Sequence, residues 1–152
     1  MTQIDEAAVE NIDAAQFASI VSEKSDAEIA EILAHAEQRT LLLDTIFGQM
    51  ERRIRPERAK GMQEVIHWRV LPEGEGDPDA FQVVIDDGKA IVGRELDRDP
   101  RVTFEIHGVS FIRMIAGQTT GMKLALGRKL KIKGDMMFAS QMTSFFKIPT
   151  AG

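Results

Sequence analysis

Near residue 60 the hydrophobic spacing of this chain changes from helical to alternating, and that change limits the fold to helices laid against a sheet. Upstream, Leu43, Ile46, Phe47, Met50 and Ile54 share one face of a helix expected over Gln38–Ile54. That helix stops near Pro56, because the residue before a proline resists helical geometry. Downstream, Ile66, Trp68 and Val70 alternate with Val65, His67 and Arg69, and a turn rich in glycine, proline and acids follows from Pro72 to Pro78. Phe81, Val83 and Ile85 resume the alternation up to Asp87-Gly88, a strong hairpin signal, and Ala90, Ile91 and Val92 return as the next strand. The three strands should form an antiparallel meander. After a turn at Asp97–Pro100, Val102, Phe104 and Ile106 form the buried side of a fourth strand. Ser110 is then expected to cap a helix carrying Phe111, Ile112, Met114 and Ile115, which Gly117 should end.

Two further regions complete the layout. Residues 4–21 and 26–37 pattern as short acidic helices, the second opened by a Ser25-x-x-Glu28 capping box. In the last third, glycines at 117, 121, 127 and 134 punctuate a stretch in which Leu130-Lys131-Ile132-Lys133 alternates as a strand with one dry and one wet face. Asp135 can cap the following helix, whose apolar stripe is Phe138, Met142, Phe145 and Phe146. The order of elements predicts an α+β fold, with one mostly antiparallel sheet covered by helices on one face. Residues 1–37 form an acidic helical extension to a domain spanning 38–152, and another copy of the chain is a candidate partner for that extension, making a homodimer.

Charge narrows the function classes. The net charge is −5, yet residues 1–45 hold ten acidic against two basic side chains, whereas residues 121–152 hold one against six. An acidic total argues against nucleic acid as a partner, while the basic end permits transient contact with an anionic membrane surface. No apolar run reaches the ~18 residues of a membrane span, and the acidic start lacks the pattern of a signal peptide. The absence of cysteine rules out disulfides and thiolate chemistry and fits a reducing, cytoplasmic setting. His35, His67 and His107 lie in no metal-ligand spacing, and neither a cofactor nor a metal is called for. Ser110 beside His107 sits in no nucleophile elbow, and Asp86-Asp87 read as turn residues, as do Glu73, Glu75, Asp77 and Asp79 in an acidic loop. An acyl-thioester hydrolase would need an activated nucleophile, and none is visible, so the chain is not read as an enzyme.

The covering helix, the Ile85-Asp86-Asp87-Gly88 meander, the Asp99-Pro100-Arg101-Val102-Thr103-Phe104 strand and the run Gly127-x-x-Leu130-Lys131-Ile132-Lys133-Gly134-Asp135-Met136 resemble the sterol carrier protein 2 domain family, over roughly Leu41–Ile148. The resemblance implies a five-stranded sheet covered by helices. It also implies an apolar tunnel between the two that accepts sterols, fatty acids, fatty acyl-CoA or phospholipids, with no chemistry of its own. The chain ends Pro149-Thr150-Ala151-Gly152, unlike the Ser-Lys-Leu peroxisomal address, and with its acidic extension it looks like a free-standing bacterial version.

On that resemblance the expected lining is apolar throughout. Phe81, Val83, Ile85, Phe104 and Ile106 would form the floor, since alternate residues of neighbouring strands share a face. Ile46, Phe47 and Met50 would form the roof. Phe111, Met114, Ile115, Met122, Met137, Phe138, Met142, Phe145 and Phe146 would supply adaptable walls, because the methionine side chain is flexible and polarizable. Lys129, Lys131 and Lys133 are candidate contacts for an anionic headgroup, although the Asp135 carboxylate would repel an anion at the same helix start. The same residues also suit a filled core, in which case the domain would be a structural or accessory module without a ligand.

Overall fold

The computed structural model describes residues 19–141 apart from 73 and 75. Residues 19–22 are helical, and Ser25 then opens α1 (Asp26–Ala34) through a complete capping box in which the Ser25 hydroxyl accepts from the Glu28 amide and the Glu28 carboxylate accepts from the Ser25 amide. The chain breaks at His35, which is extended and serves as the last cap of α1 and the first of α2 (Ala36–Arg53). The expected boundary at 37 and 38 is therefore displaced, since neither glycine nor proline marks the break. Ile54 ends α2 with an extended backbone, and Pro56 then begins the single-turn α3 (Pro56–Ala59). Proline, read only as a stop in the sequence, also fits the first position of a new helix, where the amide it lacks would have had no partner.

Five strands follow the expected alternation: β1 (Gln63–Leu71), β2 (Asp79–Asp86), β3 (Lys89–Gly93), β4 (Val102–His107) and β5 (Leu130–Gly134). Their spatial order is β3-β2-β1-β4-β5. The hairpin between β2 and β3 turns at Asp87 and Gly88, whose φ angles of 44° and 86° give the doubly left-handed geometry that matches strand twist. The turn also docks on the start of β1, where the Asp87 amide donates to the Met62 carbonyl at 2.8 Å and the Asp87 carboxylate accepts from the Gly61 amide at 2.8 Å. All strand pairs are antiparallel except β1 with β4, which run parallel. Residues 94–101 therefore cross from one edge of the meander to the far side of β1.

Between β4 and β5 lie α4 (Gly108–Ile115) and α5 (Gly121–Leu126), and α6 (Met136–Gln141) follows β5. The expected cap at Ser110 is corrected: the helix begins at Gly108 with His107 at the cap position, and Ser110 lies inside the first turn. Gly117 does follow the end of α4, with a φ of 79° suited to the residue after a helix. Met142, Phe145 and Phe146 lie outside the described residues, as does most of the helix expected over 4–21.

Register places the apolar strand residues on one face. Ile66 pairs with Val83 and Val102, Trp68 with Phe81 and Phe104, and Val70 with Ile106, which in turn pairs with Leu130. Ring contacts from Phe47 of α2 and Phe111 of α4 to this face show that the helices cover it. Val21 and, from α1, Ile29, Ile32 and Leu33 are buried in the same core. Arg113 of α4 ties that amino-terminal segment down, donating to the carbonyls of Val21 and Lys24 at 2.9 and 2.6 Å and pairing with Asp26 at 2.9 Å.

Candidate functional site

The helix–sheet interior is built around aromatic rings. Phe47 stacks on Phe81 with centroids 3.9 Å apart and on Phe111 at 5.2 Å, while Trp68 stacks on Phe104 at 4.6 Å and meets Phe111 edge-on at 5.5 Å. Alternation along β1, β2 and β4 delivers Trp68, Phe81 and Phe104, and the helical stripes deliver Phe47 and Phe111. Of the expected lining residues, Ile46, Phe47, Val83, Ile85, Phe104, Ile106, Phe111, Met114 and Phe138 are buried, and Met50 and Ile115 are half-buried against them. Met122 of α5 and Met137 of α6 are placed differently, at 76% and 74% exposed, with Leu126 and Met136 exposed beside them in sequence.

This interior is poor in polar groups. Among the described residues the buried polar side chains are His67 and Gln82. Both belong to the opposite sheet face, because they alternate with Trp68 and Phe81 along their strands. There the His67 ring nitrogen Nε2 lies 3.0 Å from Gln82 Oε1, which also accepts from the Arg98 amide, and Gln82 Nε2 donates to Asp97 at 2.8 Å. That pattern makes Nε2 the protonated nitrogen of His67. The crossover after β3 thus lies over the open face and covers its two buried polar groups. Beside it opens a groove of about 370 Å³ lined by Val84, Asp86, Ile91, Arg94, Glu95 and Arg98, among others. On the helix side, Trp68 is 4% exposed and its indole Nε1 has no hydrogen-bond partner.

The basic strand faces away from the interior. Lys131 and Lys133 pair in register with Glu105 and Thr103, on the face that carries His67. Lys133 donates to Glu105 at 3.0 Å, and that bond lowers the Glu105 pKa below the ordinary glutamate value despite partial burial. Lys129 precedes the strand and is exposed. Asp135 caps α6 by accepting from the Phe138 amide at 2.9 Å and receives the Arg101 guanidinium at 2.9 Å. These two bonds, the amide first, hold the Asp135 carboxyl below its usual range. The same guanidinium meets Glu64 at 2.8 Å and lies 4.6 Å over the Phe138 ring, and the hydrogen bonds it donates to Glu64 and Asp135 raise its own pKa. Arg101 therefore fastens the start of α6 to the sheet, a role its place in the Asp99-Pro100-Arg101 motif did not disclose. Arg113 and the unpaired indole of Trp68 were equally invisible, since all three depend on contacts between distant segments.

His35, His67 and His107 do not gather, and no cluster of three metal-ligating side chains occurs among the described residues. No described helix is long and apolar enough to cross a membrane.

The sequence pattern of the SCP-2 sterol transfer family matches residues 43–147. Among curated protein sequences none matches this one. Solved structures share the fold at low identity. The inverting sec-alkylsulfatase Pisa1 from Pseudomonas sp. superposes with a TM-score of 0.62 at 14% identity over 72% of this chain, which spans 17% of that longer enzyme. UbiJ-SCP2, a ubiquinone synthesis protein, gives 0.53 at 15% identity over 70% of this chain and 94% of its own. Palmitated SCP2L2 from Aedes aegypti gives 0.50 at 16% identity over 67% of this chain and 87% of its own.

Proposed function

The chain belongs to the SCP-2 sterol transfer family, and from that membership we propose that it binds a small lipid, such as a sterol, fatty acid or fatty acyl-CoA, noncovalently between the sheet and its helices. The observation that carries this reading is the helix-facing side of the sheet, which is apolar across all five strands from Ala90 and Val92 to Leu130 and Ile132 and is roofed by aromatic rings. Burial of alkyl surface there would contribute roughly 0.8 kcal/mol per methylene, so chain length would dominate affinity. Met122 and Met137 belong in this reading at the entrance, where flexible thioether side chains adapt to differing lipid shapes as they leave water. Likeness to the palmitated Aedes aegypti protein supports the class of ligand. Lys131 and Lys133 take no part, since their face is the other one.

A fluorescent fatty-acid displacement titration, paired with native mass spectrometry of the purified protein, tests the reading. Saturable displacement, or a lipid mass retained on the protein, is expected. A second reading, in which the domain is an accessory module with a filled core, draws on the 3.9 Å stacking of Phe47 on Phe81. It predicts neither displacement nor retained lipid.

A further inference from the structure

Trp68 is the only tryptophan of the chain and sits at the middle of the central strand, on the face the helices cover. Its neighbours there are ring faces and edges, with Phe104 at 4.6 Å, Phe111 at 5.5 Å and Phe47 at 6.1 Å, and its register partners are Phe81 and Phe104. None of these side chains accepts a hydrogen bond in the ordinary sense, and the indole N–H is buried without a partner. A desolvated donor left unpaired is costly, and native interiors keep few of them. Leucine or phenylalanine would fill the site without that cost, so the N–H here is a group lacking its complement.

The surroundings define what the complement is. An indole N–H donates one bond and accepts none. Among the described residues no lysine or arginine is buried as a whole: Arg101 at the edge is engaged by Glu64 and Asp135, and Arg55, whose Nε is buried without a partner, precedes Pro56, which packs against Gly88 at the β2–β3 turn, away from Trp68 and its register partner Phe81. An anionic oxygen brought to Trp68 would therefore be desolvated without a counter-charge, which is strongly unfavourable. A neutral oxygen would not suffer that penalty.

We propose that the Trp68 indole N–H is the hydrogen-bond donor for an uncharged oxygen of the bound lipid, a hydroxyl or carbonyl held among the rings of Phe47, Phe104 and Phe111. The assignment rests on the lipid-binding reading above and sharpens it. The preference belongs to that one position: Trp68 favours an uncharged oxygen over a carboxylate or a methylene there, and a fatty acid is accommodated with its carboxylate away from the ring cluster.

The test uses the full-length protein and three matched probes, dodecanol, dodecane and dodecanoate, delivered from cyclodextrin. With one tryptophan, the indole N–H gives a single resonance in a proton–nitrogen correlation spectrum, and emission excited in the tryptophan band reports the same side chain. Dodecanol is expected to move that resonance downfield and to bind more tightly than dodecane. In Trp68→Phe, affinity for dodecanol should fall about fivefold to tenfold while that for dodecane stays within about twofold, the range a single net hydrogen bond supplies. If dodecanol and dodecane bind alike and Trp68→Phe treats them alike, the indole assignment is overturned while lipid binding stands. Tighter binding of dodecanoate with the same downfield movement overturns the preference for a neutral oxygen. A resonance already downfield and indifferent to dodecanol identifies a buried water as the partner and also overturns the assignment. Binding of none of the three overturns the lipid reading itself. The spectrum of the unaltered protein decides the matter even if Trp68→Phe fails to fold.

Discussion

At Gly134 the chain must pass close to the neighbouring strand. The residue has a φ of 110°, and a Cβ there would run into the Arg101 carbonyl oxygen and approach Val102 Cα to 3.0 Å. Both the backbone angle and the clash oppose any side chain, so Gly134→Ala should destabilise the fold by about 1–3 kcal/mol in urea unfolding. Phe111 is the opposite case, completely buried and in contact with two other rings. Phe111→Ala should lower unfolding stability by about 3–5 kcal/mol through lost burial and a cavity, and bound lipid should recover part of the loss. Single residues with a local signature were legible in the sequence. Asp135 as a cap, Gly117 after a helix and Asp87-Gly88 in a hairpin all function through their immediate neighbours. Ser110 misled, because a hydroxyl before an apolar run marks a cap only when the backbone enters the helix there, and here the helix had already begun two residues earlier.

Among the elements, α6 packs on the β4–β5 edge of the sheet and is fastened there by Arg101, the last residue of the crossover before β4. Its cap Asp135 and its buried Phe138 both meet Arg101, which is anchored in turn by its amide donating to Val65 at 2.8 Å. The pKa of Asp135 is depressed in the folded protein, so the cap binds its proton less readily there than in the unfolded chain. Its contribution is fully present above the ordinary aspartate value of about 3.9 and is lost as the pH falls through the lower folded value. Asp135→Asn should therefore flatten the acid side of a stability profile below about pH 4 and leave stability at higher pH only modestly reduced, since asparagine also caps helices. Arg101→Ala should speed amide hydrogen exchange in residues 136–141 far more than in β1 or β2. The strands themselves were plain from alternation. Their pairing was less so: the parallel contact of β1 with β4 has no signature in either segment, and the split at His35 falls where neither glycine nor proline marks it. The methionines marked the last third of the chain as apolar but did not show that Met122 and Met137 face outward, because exposure depends on which side of the helix meets the sheet.

For the molecule as a whole, residues 21–34 and the layers of sheet and helix share one hydrophobic interior. Arg113 joins them through the carbonyls of Val21 and Lys24 and the Asp26 carboxylate. Arg113→Ala should cost about 1–3 kcal/mol, and hydrogen–deuterium exchange should show the loss concentrated over residues 21–34. The connection also bears on how the molecule assembles. The β1–β2–β3 meander closes short loops and offers early order, whereas the Arg113 tie joins positions separated by 87–92 residues. Loop-closure entropy disfavours such long-range contacts early and leaves them for late in the reaction. On the ribosome α1 has α2 to pack against as soon as that helix emerges, but its second surface, α4, comes only after the whole meander and β4. During that interval Ile29, Ile32 and Leu33 are covered only in part, and nascent chains halted before residue 113 should be the ones most prone to aggregate or to recruit a chaperone.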